Sequence, residues 1–170
     1  MTKSNKSAEP CGESDVYREE ILDHSRNPRN KRKPDAVTFS GRKANMSCGD
    51  TVQFFVRLGG DGRIEEVGFD GVGCAISMAA TSMLTDDVLG KSLDEVTAME
   101  QADIERLLGA EIGPTRVKCA MLGLETLKRA VEDYGEGRRR EGERGRSLEL
   151  WGFQSKTSAL GARQARSSRV

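Results

Sequence analysis

Three cysteines and one aspartate stand where their chemistry is usable. Cys48 lies in the short loop Ser47-Cys48-Gly49-Asp50, just before a strand pattern, and Asp50 offers a carboxylate two residues on. Cys74 follows Gly71 and Gly73, at the point where a strand pattern gives way to a helical one. Cys119 falls in the first turn of the last expected helix. A helix start presents unpaired N–H groups and the positive end of its dipole, so a thiol there is expected to ionise more readily. Thiolates bind soft metals and attack sulfur; thiols do neither well. Three thiolates and a carboxylate can complete a tetrahedral zinc site, and thiolates also hold iron–sulfur clusters. The spacings of 26 and 45 residues contain no Cys-x-x-Cys pair. They leave a second reading open, in which Cys74 and Cys119 are small buried core residues.

The surrounding elements must bring these residues to one place. Val52, Phe54, Val56 and Leu58 alternate at period two, which predicts a strand. The turn GGDGR (59–63) follows, and IEEVGFDG (64–71) returns as a second strand, so the sheet is antiparallel at least in part. A further strand is expected at 36–41. Ile76, Ala79, Ala80, Met83, Leu84 and Val88 are spaced for a helix that Gly90 ends. Ser92 and Glu95 form a capping box that opens a short helix. Residues 101–109 form another. The last helix covers 117–134, striped by Val117, Ala120, Met121, Leu124, Leu127 and Val131. Near the start, residues 15–24 read as a short helix carrying Tyr17 and Ile21, capped by Ser14 or Asp15. Strands first and helices after describe an α+β fold: a small antiparallel sheet of about three strands, followed by and packed against several helices.

Bulk properties bound the rest. The chain has 170 residues, 36% hydrophobic and 32% charged, which suits one domain plus polar tails. Residues 1–14, with Cys11 as a stray thiol, are expected to be a disordered N-terminal tail. Residues 15–134 form the domain, and 135–170 a disordered basic C-terminal tail. That last segment holds nine basic and four acidic residues, against equal totals of 27 in the whole chain, so the body is acidic. A basic tail diluted by Glu141 and Glu143 is not the basic folded face of a nucleic-acid domain, and no nucleic-acid partner is expected. Trp151 and Phe153 are read as tail residues without a docking role. No apolar run approaches a membrane span, and the first residues lack the apolar core of a signal peptide. The expectation is a cytoplasmic protein with no membrane partner, whose thiols stay reduced.

Four segments, in this order, resemble the U-type iron–sulfur scaffold proteins, which comprise IscU, SufU and the amino-terminal domain of NifU. They are ILDHSRNPRN (21–30), SCGD (47–50), FDGVGCAISMAATSMLTDDVLGK (69–91) and PTRVKCAML (114–122). The resemblance covers about residues 15–134. It implies that Cys48, Asp50, Cys74 and Cys119 hold zinc or a nascent, transient [2Fe–2S] cluster. It also implies that sulfur arrives as a persulfide from a cysteine desulfurase, with Cys119 as acceptor and Cys74 beside it, and leaves to a downstream iron–sulfur carrier or apo-protein. The IscU branch has a histidine immediately before the third cysteine, where this chain has Lys118. Arg116-Val117-Lys118-Cys119-Ala120 and the AISMA after Cys74 look like the SufU branch instead, in which a zinc-bound protein accepts sulfur. That branch usually carries an extra segment between the second and third cysteines, which this chain lacks. Three functions follow: a [2Fe–2S] scaffold, a zinc-dependent sulfurtransferase, and a structural zinc protein.

Other residues have blander readings. His24, the only histidine, is expected to cap carbonyls or face solvent, with a ligand role as the alternative. Lys118 and Arg116 are expected on the surface or beside Asp50 or an anionic partner. Met78, Met83 and Met121 read as core.

Overall fold

The computed structural model describes the backbone of residues 13–150 and the side-chain surroundings of residues 18–139. Cys11, Trp151 and Phe153, and with them the outer parts of both expected tails, lie outside the described residues. The chain divides into two units, Met1–Gly135 and Glu136–Val170.

Within the first unit the sheet is a three-stranded antiparallel meander, β1 (Phe39–Asn45), β2 (Asp50–Leu58) and β3 (Ile64–Val72), in the order β1-β2-β3. The first strand lies a few residues later than the 36–41 expected from its weak alternation. Its position is set by pairing, with Phe39 opposite Val56 and Asn45 opposite Asp50. On β2, residues 50, 52, 54 and 56 are buried and their neighbours half-buried, the alternation of a strand with one face on the core. Phe54 faces Phe69 and Val56 faces Val67 across the β2–β3 pair. The β2–β3 turn keeps Gly62 at φ 79°, and the Gly59 N–H donates to the Arg63 carbonyl.

Helix α1 spans Glu13–Arg26, α2 Ala75–Asp87, α3 Leu93–Ala98, α4 Gln101–Leu108 and α5 Val117–Leu150. α1 starts ahead of the expected Ser14 or Asp15 cap, which places both residues inside the helix. α3 opens on the expected capping box: Ser92 Oγ accepts from the Glu95 N–H while the Glu95 carboxylate accepts from the Ser92 N–H. α4 ends at Gly109, whose φ of 61° is a left-handed cap.

α2 is where the expected stripe proves too narrow. Every residue from Ser77 to Thr85 is buried, because α1, α4, β3 and α5 all pack against this helix. Small residues at 77, 79–82 and 85 let those neighbours close in. A Cβ on Gly123 of α5 would come within 2.7 Å of Thr81 Oγ1. A Cβ on Gly41 of β1 would meet Ala130 Cβ at 2.4 Å, so α5 lies directly on the sheet. The core between them holds Val52, Phe54, Phe69, Leu84, Leu122, Leu124 and Leu127, with Met78 and Met83 buried and Met121 half-buried as expected.

In the second unit the described residues, 136–150, continue α5. The helix thus runs past the end expected at residue 134. That expectation rested on the missing apolar period. Yet Arg, Glu and Leu have high intrinsic helix propensity, which extends a helix already nucleated upstream.

Candidate metal and sulfur site

Asp50 is positioned by the same alternation that builds the core. It is the first residue of β2 and shares the buried face of Val52, Phe54 and Val56, at 3% exposure. A carboxylate at such a position is costly unless it has partners. One oxygen, Oδ1, accepts the Cys74 N–H at 3.2 Å. The other, Oδ2, is buried with no hydrogen-bond partner among the described residues. Ser77 Oγ is also buried without a partner, and Ser77 and Asp50 both lie against Gly73, where a Cβ would come within 3.2 Å of each. Glycine at 73 therefore lets the β3–α2 junction close over the carboxylate.

Cys48 reaches the site through a tight turn. The Asn45 carbonyl accepts from the Cys48 and Gly49 N–H groups at 3.3 and 2.9 Å, and Gly49 takes φ 74°. Cys74 is the N-cap of α2, its sulfur accepting from the Ser77 N–H at 3.5 Å. Cys119 sits in the first turn of α5 and is buried. The sulfurs of Cys48 and Cys119 are 3.0 Å apart. Donor atoms of Cys48, Asp50 and Cys119 all lie within 4.8 Å of one another. Cys74 falls outside that tightest group, yet its N–H holds Asp50 and its sulfur acts on Cys119. Residues from the β1–β2 turn, the start of β2 and the start of α5 thus converge, with Cys74 at the start of α2 beside them.

The fit to a metal is tested by these donors. Two thiolates around one zinc ion lie about 3.8 Å apart in tetrahedral geometry, so the Cys48 and Cys119 sulfurs, 3.0 Å apart, need to open by roughly 0.8 Å to share one. An unpartnered buried carboxylate oxygen beside two sulfurs is what a cation satisfies. Cys48, Asp50 and Cys119 therefore fit a zinc ion, with Cys74 the nearby candidate for a fourth ligand.

One expectation is reversed. The helix start was expected to make Cys119 acidic, but its thiol is pushed up to about 12. Hydrogen bonding with the Cys48 sulfur is the largest cause, followed by burial and then by repulsion from Cys74. Crowding three sulfurs into a buried place outweighs a helix dipole of about half a unit charge. A bound cation inverts this balance and holds its ligands as thiolates.

His24 is neither a solvent-facing cap nor part of the donor group. It is 2% exposed, and its Nε2 accepts from Arg29 Nη1 at 2.7 Å. Nδ1 must then carry the proton, which it donates to Ser82 Oγ at 2.9 Å. The imidazole ties α1 to α2, and burial with the Arg29 charge lowers its pKa from 6.5. Lys118 and Arg116 are exposed, and neither pairs with Asp50. The sequence reading missed Asn45, whose amide lies 3.6 Å from Cys48 Sγ and 4.0 Å from Cys119 Sγ. Its place three residues before Cys48 was the available signal.

Known proteins resemble this chain over most of its length. The family model described as NifU-like N terminal domain matches residues 16–141. The chain is 34% identical over 122 residues to the iron–sulfur cluster assembly scaffold protein IscU of Escherichia coli K12, covering 70% of this chain and 94% of that one. It is also 34% identical over 134 residues to the zinc-dependent sulfurtransferase SufU of Bacillus subtilis 168, covering 68% and 89%. The two branches are thus matched at equal identity. Among solved structures, a putative iron–sulfur cluster assembly scaffold protein for the SUF system, from Fervidobacterium islandicum AW-1, superposes with a TM-score of 0.58. It is 28% identical and covers 71% of this chain and 99% of that one.

Proposed function

The chain belongs to the NifU-like N-terminal domain family, and from that premise we propose that it assembles iron–sulfur clusters at Cys48, Asp50, Cys74 and Cys119. The observation that carries this reading is the meeting of the Cys48, Asp50 and Cys119 donor atoms within 4.8 Å. The cluster is cargo, a [2Fe–2S] unit built from delivered iron and sulfur and passed on to an iron–sulfur carrier or apo-protein. Sulfur comes from a cysteine desulfurase as a persulfide. Cys119 gives up its thiol proton as its sulfur attacks the outer sulfur; a new S–S bond forms on Cys119, the bond to the desulfurase cysteine breaks, and that cysteine leaves as its thiol. The exposed Cys48 faces solvent and the incoming donor, while Cys119 behind it is shielded from stray oxidants. Asp50, a hard oxygen among soft sulfurs, makes the site willing to release what it holds. The reaction belongs in the cytoplasm, where thiols stay reduced; among the described residues no helix is long and apolar enough to cross a membrane.

A second reading is a zinc-dependent sulfurtransferase that never holds a stable cluster. It is favoured by Lys118, which stands where the IscU branch carries a histidine, and by the Cys48, Asp50 and Cys119 donor group, a set that suits zinc. Zinc bound here supplies one thing, the stabilisation of its ligands as thiolates. In that reading the carrier is still Cys119, and the cluster is built elsewhere.

Anaerobic incubation with a cysteine desulfurase, cysteine and ferrous iron separates the readings. A reddish species with visible absorption bound to the chain supports the scaffold. Retained zinc with accelerated desulfurase turnover and no visible species supports the sulfurtransferase. Zinc that alters melting alone, with no stimulation, leaves a structural zinc protein and overturns the proposal. Cys119→Ser should abolish persulfide transfer in either active case; transfer that persists removes Cys119 as acceptor.

A further inference from the structure

Asn45 closes β1 and faces Asp50 across the turn that carries Cys48. Its side-chain oxygen accepts the Ser47 N–H at 3.1 Å. Only the oxygen can accept from an N–H, so the amide orientation is determined and the NH2 group must point the other way. There it meets two sulfurs, Cys48 Sγ at 3.6 Å and Cys119 Sγ at 4.0 Å, 74 residues away in sequence. An amide nitrogen has two protons, one for each sulfur. The Asn45 carbonyl meanwhile accepts from the Cys48 and Gly49 N–H groups. One residue therefore shapes the turn with its oxygens and reaches both cysteines with its nitrogen.

Resting on the metal and sulfur site proposed above, we propose that Asn45 is a positioning residue: its amide donates one N–H to each of Cys48 and Cys119 and holds their sulfurs together as ligands. The donation stabilises electron density on the sulfurs and fixes the turn against α5. Partners of this kind, behind the ligands themselves, commonly account for 10–100-fold in metal affinity.

Two variants separate this role from turn-making. Asn45→Ser retains an oxygen that accepts from the N–H two residues on, but is too short and has no amide protons to reach the sulfurs. Asn45→Asp retains the oxygen facing Ser47 and replaces the NH2 group with an acceptor. Full-length protein is titrated with cobalt(II) as a spectroscopic stand-in, and with zinc against a chromophoric chelator. The expected result for Asn45→Ser is a zinc affinity roughly 10–100-fold weaker. For both variants the sulfur-to-cobalt charge-transfer band moves to lower energy, because sulfurs without N–H donors release electron density more easily. A purely turn-making Asn45 leaves that band in place in both. If Asn45→Ser does not fold, the band of Asn45→Asp decides by itself. A wild-type protein with no sulfur-to-cobalt band overturns the site as a whole. A wild-type band with variants matching it in position, and Asn45→Ser within twofold in affinity, overturns the role of Asn45 alone.

Discussion

Replacing Asp50 with alanine should make the metal-free protein more stable. The carboxylate is 3% exposed on the core face of β2. Oδ1 has a single partner, the Cys74 N–H, and Oδ2 has none among the described residues. A buried polar atom without a partner costs about 1–3 kcal/mol, and more when charged. Removing the group also removes one hydrogen bond to a charged acceptor, worth about 1.5–3 kcal/mol. With Cys74 half-buried, hydration of its freed N–H is expected to recover much of that. The net expectation is a gain of about 1–2 kcal/mol, or roughly 4–8 °C in Tm for a domain of this size. With zinc the order should reverse. At a free zinc concentration 100 times the wild-type Kd, binding stabilises the wild type by about 2.7 kcal/mol. A variant whose Kd is raised ~100-fold gains only about 0.4 kcal/mol under the same conditions. Thermal melts of both proteins, reduced, with chelator and then with buffered zinc, test both halves. A metal-free Asp50→Ala that melts at or below the wild type refutes the claim that Asp50 is held at a cost. An order that does not reverse with zinc refutes Asp50 as a ligand.

Gly41→Ala should destabilise the fold by about 1–3 kcal/mol, since the added methyl meets Ala130 at 2.4 Å; Ala130→Gly in the same chain should recover part of this in urea unfolding. The stability of the metal-free protein should fall as pH drops below about 6.5. The folded imidazole of His24 resists the proton that the unfolded chain accepts, so stability is complete above 6.5 and declines by at most ~1.4 kcal/mol per pH unit until the folded group titrates. His24 is the only histidine, so a urea midpoint that is constant between pH 7.5 and 5.5 contradicts its buried, neutral state. Ser92→Ala should cost about 1 kcal/mol by removing the hydroxyl that accepts the Glu95 N–H, while the backbone N–H at 92 still donates to the Glu95 carboxylate, read from the same unfolding curves.

The elements were legible wherever one local rule acted alone. Alternation at Val52, Phe54 and Val56 marked β2, and Ser92 with Glu95 marked α3. Rules in conflict were not readable. α2 looked striped because its apolar residues have a helical period, but its small polar residues are buried as well, since helices and sheet press on it from all sides. The 135–150 segment lacks an apolar period and still continues α5. His24 looked like a helix-end residue in solvent; only the packing of α1 on α2 shows it bonded to Ser82, 58 residues away.

The four residues proposed for the site divide the same way. From sequence alone came their types, their loop and helix-start positions, and the family resemblance that joined them. Only the folded chain brought Cys48 and Cys119 within 3.0 Å and turned Asp50 inward on the face of the core strand. Only there does Cys119 become harder to ionise, because local sequence sets the helix dipole whereas the neighbouring sulfurs and the burial come from elements 45 and 71 residues away. The amide of Asn45 is the clearest instance. Its oxygen obeys a rule spanning two residues, and its nitrogen serves a contact spanning 74, which exists only once β1 and α5 are packed.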